Sequence, residues 1–94
     1  MATELTTRFR TNAVYPPGEY LAEELETRGM TQMSLAKAIG RPVQVVNSII
    51  RGKKAVTAET AIQFEKVLGI EAEFWLNLEM HYQLAKARQR AESA

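Results

Sequence analysis

Residues 43–54, Val-Gln-Val-Val-Asn-Ser-Ile-Ile-Arg-Gly-Lys-Lys, carry side chains whose types and spacing suit the edges of a nucleic-acid duplex. Gln44 can donate and accept a hydrogen bond at once, which matches the N6 and N7 edge of adenine in the major groove. Val43, one residue earlier, offers an apolar surface to a thymine methyl. Asn47 and Ser48 follow about a turn later and can reach either a base edge or a phosphate. Arg51, Lys53 and Lys54 close the segment, where cations grip phosphates. Further upstream, Gln32 opens another helical segment. Its amide, together with the free N–H groups of a helix start, suits a phosphate oxygen. Each of these polar residues alone could be merely solvated; as a set they outline a reading surface with phosphate anchors at its margins.

Other chemistries find no residues. There is no cysteine and a single histidine, His81, so a thiolate centre and a two-histidine zinc helix are both excluded. The chain contains no Asp, and no Gly-rich phosphate loop or nucleophile elbow. No enzyme, cofactor, metal or small-molecule substrate is expected.

Charge follows the same division. The net charge is only +1, but all eleven acids are Glu and none lies between Glu26 and Glu59. That gap holds six bases, Arg28, Lys37, Arg41, Arg51, Lys53 and Lys54, leaving six bases against eleven acids elsewhere, a net of −5. A local basic patch on an acidic scaffold is what phosphate attraction requires; a high overall charge is not. No apolar run approaches the roughly 18 residues of a membrane span, and the first 15 residues are polar without a signal-peptide pattern. A cytoplasmic protein without membrane contact is expected.

The elements that must position these residues are all helical. Ninety-four residues make one domain with one small core. Residues 1–15 lack periodicity and read as an N-terminal arm, expected to be mobile; 16–90 form the domain; 91–94 read as a frayed tail. The first helix is expected over Pro17 to Arg28, with Pro17 in its first turn and Gly29 as its stop. Thr31 caps a second, Gln32 to Ile39, whose Leu35, Ala36 and Ile39 face inward. Gly40 then supplies a tight turn with positive φ. A third helix runs from Pro42 to Arg51, with Val46, Ile49 and Ile50 inward. Thr57 caps a fourth, Ala58 to Leu68. A fifth begins near Glu71 and runs to Arg90, with Trp75, Leu78, Tyr82 and Ala85 in one stripe. The expected fold is therefore all-α, with five helices, the second and third forming a helix-turn-helix.

With these residues laid out, the chain resembles the lambda-repressor-like, or Xre, helix-turn-helix class, and more fully the HigA antitoxins, also called virulence-associated protein I-like plasmid-maintenance antidotes. Pro17-Gly18-Glu19-Tyr20-Leu21 resembles the family's opening motif. Gly40 to Pro42 and Asn47 to Ala61 resemble its reading helix and following loop. Leu68-Gly69, then Glu73-Phe74-Trp75-Leu76-Asn77-Leu78 and Tyr82, resemble its C-terminal signature, the most specific of the three. The resemblance implies a homodimer on double-stranded operator DNA at its own promoter. It also implies a partner toxin, HigB, of the RelE-like mRNA-cleaving class, which the chain would neutralise. A plain Xre-type regulator without a toxin shares every DNA expectation and differs only in this partner.

The fifth-helix stripe agrees with a dimer. Phe74 and Trp75 are expected to turn inward, and Trp75, Leu78, Tyr82 and Ala85 are expected to form a seam across a two-fold axis. Such an axis would set two reading helices roughly 34 Å apart, one turn of DNA.

Overall fold

Two threonines and a glutamate start three of the helices. The computed structural model describes residues 15–93, so all of the expected arm over 1–15 but its last residue, and the last residue of the expected tail, lie outside the described residues. Helix α1 spans Pro17–Arg28, α2 Gln32–Ile39, α3 Val43–Ile50, α4 Ala58–Leu68 and α5 Ala72–Ser93. Among the described residues there is no strand, and the fold is all-α. No helix among them is long and apolar enough to cross a membrane.

At the start of α2, Thr31 Oγ1 accepts from the Ser34 N–H at 3.0 Å. Thr57 does the same for Thr60 at the start of α4, at 3.3 Å. Each cap satisfies one of the N–H groups that a helix start leaves without an intrahelical partner. Helix α5 is started across the fold instead: Glu65 Oε2, on α4, accepts from the Ala72 N–H at 3.2 Å.

The α2–α3 turn rests on Gly40, at φ 72°, from which the Arg41 N–H returns to the Ala36 carbonyl at 3.0 Å. This left-handed conformation costs a Cβ-bearing residue energy, as the sequence leads one to expect. Helix α3 begins one residue later than expected. Pro42 stands just outside it at ψ 147°, in the extended region, and Arg51 flanks its other end.

The core is built from one face of every helix. Leu21 and Leu25 of α1, Leu35, Ala36 and Ile39 of α2, Val46 and Ile49 of α3, Ala61, Phe64 and Leu68 of α4, and Trp75 of α5 are buried, joined by Val56 from the loop before α4. Helices α1 and α3 approach so closely at Gly18 that a Cβ there would overlap the Ile49 carbonyl oxygen. Arg28 binds α1 to the end of α4: its Nη2 donates to the Leu68 carbonyl at 2.7 Å, while its Nε pairs with Glu24 at 3.0 Å.

In helix α5, Trp75 has the inward place expected of it, and the departures lie in its share of the seam and in where the helix ends. Trp75 is 0% exposed and packs edge-on against Phe64 at 5.1 Å, Tyr20 at 5.6 Å and Phe74 at 5.8 Å between ring centroids. It belongs to the protomer's own core and drops out of the expected seam, because only the first turns of α5 lie over the other helices' apolar faces. Tyr82 also works within the protomer: its hydroxyl stands 3.6 Å from where a Cβ on Gly52 would be. It remains half-buried, as do Leu78 and Ala85. Finally, the helix continues past Arg90 to Ser93, so residues 91–93 are exposed helix and not an irregular tail.

Candidate nucleic-acid interface

Helix α3 is only eight residues long, and it is strongly two-sided. Val46 and Ile49 are sealed inside, whereas Gln44 is exposed. Val43 is half-buried, with part of its side chain against the core, so a smaller apolar surface is presented than a fully exposed valine would offer.

Asn47 and Ser48 are half-buried on the flank of α3. The Asn47 Nδ2 donates to Gln32 Oε1 at 3.2 Å, a side-chain bond between the first residue of α2 and the second turn of α3. Two residues that the sequence singles out separately thus form one polar unit. Ser48 contributes through its backbone: its carbonyl accepts from the N–H groups of Lys53 at 2.8 Å and Lys54 at 3.2 Å.

Those two bonds fold the chain back at the end of the helix. Gly52, at φ 75°, makes the reversal, and Arg51, Lys53 and Lys54 are left exposed around it. A Cβ on Gly52 would press on Pro16 Cγ at 3.2 Å, so the turn is also closed from the α1 side. The basic loop is therefore hydrogen-bonded through its backbone, with its cationic side chains exposed. This arrangement presents cations without the cost of ordering the main chain on binding.

Three contributors were not apparent from residue types alone. Arg41, counted above with the basic segment, is half-buried; its Nη1 donates to Gln63 Oε1 at 3.1 Å and Thr60 Oγ1 at 3.5 Å. It braces the turn against α4. Glu79 is buried on α5 and holds the loop before α4 through the Val56 N–H at 2.9 Å. Its place four residues after Trp75 put it near the buried stripe, but a carboxylate there reads as solvated. Gly18 gives no sign of its role in sequence, since the Ile49 carbonyl it accommodates is 31 residues away by numbering.

Comparison with known proteins agrees with this geometry. A helix-turn-helix family model matches residues 21–75. Virulence-associated protein I of Dichelobacter nodosus is 37% identical over 78 residues, covering 82% of this chain and 72% of that protein. Antitoxin HigA-1 of Vibrio cholerae serotype O1 is 39% identical over 74 residues, covering 78% and 70%. The structure of Pseudomonas aeruginosa antitoxin HigA with the higBA promoter matches at a TM-score of 0.81 and 30% identity, covering 86% of this chain and 89% of that one. The chain belongs to the helix-turn-helix class and, within it, to the HigA antitoxin family.

Proposed function

We propose that the chain is the DNA-binding antitoxin of a toxin–antitoxin pair. It acts as a homodimer on a palindromic operator in double-stranded DNA, represses its own operon and neutralises a HigB-like toxin of the RelE-like mRNA-cleaving class. The observation that carries the DNA part is the exposed Gln44 on a helix anchored by Val46 and Ile49, with the exposed cations Arg51, Lys53 and Lys54 on the hydrogen-bonded turn at its end. A short helix sealed on one side and polar on the other fits the major groove.

In this reading Gln44 reads a base edge, Val43 meets a thymine methyl with what remains exposed, and Gln32, Arg51, Lys53 and Lys54 hold phosphates. Asn47 and Ser48 flank the reading face. The toxin half is supported by kinship with proteins named antitoxins, the Vibrio relative among them. The homodimer is supported by the half-buried side chains of Leu78, Tyr82 and Ala85 along α5, which a second copy would cover.

The test is co-expression with the product of the adjacent small gene. If the neighbour alone arrests growth and this chain restores it, the antitoxin reading holds. If the neighbour is harmless, or rescue fails, the chain is a plain transcriptional regulator of the same class.

A further inference from the structure

Between Glu79 and Glu92 the chain carries no acid, and Lys86, Arg88 and Arg90 fall in that stretch. The outer half of α5 is therefore cationic, whereas its inner half holds Glu73 and Glu79. Arg88 and Arg90 are exposed, but Lys86 is half-buried. Its Nζ lies over the Tyr82 ring, 4.7 Å from the centroid. The Tyr82 hydroxyl in turn reaches the turn that ends α3, 3.6 Å from where a Cβ on Gly52 would be. One tyrosine ring thus separates the Lys86 ammonium from the loop that presents Arg51, Lys53 and Lys54. Among the described residues no carboxylate pairs with Lys86. Glu79, the acid before it on α5, is occupied by the Val56 N–H and by Gln83.

We infer that Lys86 is a further phosphate anchor, so that the cationic edge at the end of α3 continues across Tyr82 onto α5. Tyr82 is the positioning residue: the face of its ring attracts the ammonium, and its hydroxyl end abuts the loop. A lysine stem laid along an apolar surface keeps its charged head at the water boundary. A head held in this way loses less freedom when a phosphate arrives than one on an open surface. An ammonium is a point charge with three donors and no acceptor, suited to a phosphate oxygen. Such a contact adds affinity without reading a base. The inference rests on the DNA-reading proposal above, and it gives DNA contact to a helix that the proposal otherwise assigns to the dimer alone.

The experiment is a salt titration of binding to two duplexes, the site that the wild type selects from a random library and an unrelated sequence of the same length. The proteins compared are the wild type, Lys86→Met, Lys86→Arg, Tyr82→Leu, the Tyr82→Leu/Lys86→Met double variant, Lys53→Ala and Lys66→Met. Methionine keeps an unbranched stem against the ring and removes the charge, so the thermal melt of Lys86→Met should match that of the wild type. Its affinity should fall by about tenfold near 50 mM salt and about threefold near 200 mM, equally on both duplexes. The salt slope should flatten by about 1 for each protomer bound. Lys86→Arg should keep the wild-type slope. In the Tyr82→Leu background, where the ring is gone, Lys86→Met should cost no more than about threefold near 50 mM.

The inference is overturned if Lys53→Ala flattens the slope and Lys86→Met does not. It is also overturned if Lys66→Met, at an exposed cation on α4, costs as much as Lys86→Met, because the effect is then one of overall charge. A change of oligomeric state in Lys86→Met, read by sedimentation, would place the residue in the seam instead and overturn it too. An undiminished loss in the Tyr82→Leu background removes the positioning role of the ring. If neither Lys53→Ala nor Lys86→Met alters the slope, the DNA-reading proposal itself fails and takes this one with it.

Discussion

The carboxylate of Glu79 accepts a hydrogen bond from the backbone N–H of Val56 at 2.9 Å, across 23 residues of sequence. Its second oxygen accepts from Gln83 Nε2 at 2.6 Å. A buried acid is thus used to hold the downstream end of the loop that carries Lys53 and Lys54, while Ser48 holds the upstream end. Glu79→Ala leaves the Val56 N–H without its acceptor and is expected to cost about 1–3 kcal/mol. Glu79→Gln keeps a neutral acceptor and should cost less. Urea unfolding measures both, and amide exchange at Val56 should quicken in the alanine variant.

At Gly18 two effects oppose one another. Alanine gains about 1 kcal/mol over glycine inside a helix. Here its Cβ would overlap the Ile49 carbonyl, which is backbone and cannot rotate away. Separating α1 from α3 is expected to win, with a net loss of at least about 2 kcal/mol for Gly18→Ala. An unchanged or raised melting temperature would refute the close approach.

Tyr20 supplies a pH prediction. Burial, and then the negative charge and hydrogen bond of Glu24, push its phenol above the ordinary 10.0. The folded state therefore holds this proton more tightly than the unfolded chain. The resulting stabilisation is complete below the unfolded value and disappears as pH rises through the folded one. Tyr20→Phe lacks this component. The stability difference between wild type and Tyr20→Phe should hold steady near about pH 8 and shift against wild type above about pH 10.

On duplex DNA, the exposed Gln44 and the loop cations should respond differently. Gln44→Ala is expected to cost about 1–3 kcal/mol at one base pair and to relax specificity there. Arg51→Ala and Lys53→Ala should weaken all sequences alike, each flattening the salt slope by about 1. Equal behaviour of the two classes in a salt titration would contradict the division of labour along α3.

For the dimer, Ala85→Glu places a charge at a half-buried point on the outer length of α5, beyond the core-forming turns. Sedimentation should show a dimer for wild type and a monomer of unchanged helicity for the variant. A variant that remains dimeric would move the seam elsewhere.

What was legible in the sequence is what is local. Thr31, Thr57 and Gly40 announce their roles because a cap or a left-handed turn is settled within three or four residues. Helical periodicity likewise identifies the inward faces of α2 and α3. It does not say how far a neighbour extends beneath a long helix, which is why Trp75 could be read both as inward and as part of a seam between copies when it is sealed within one. Pairings between distant side chains are hidden for the same reason. Gln32 with Asn47 spans 15 residues and Arg41 with Gln63 spans 22, and no rule of spacing selects those partners over other amides.

The burial of Trp75 has a spectroscopic consequence. It is the sole tryptophan of the chain, and among the described residues its surroundings are dominated by the rings of Tyr20, Phe64 and Phe74. Its emission is expected to be that of an indole in an oily environment and to redden when water reaches it. A ligand settling on the exposed polar face leaves that environment intact. A shift in the emission maximum of the tryptophan on mixing with a binder is therefore expected to report a rearranged interior, and an unshifted maximum to report rigid-body docking.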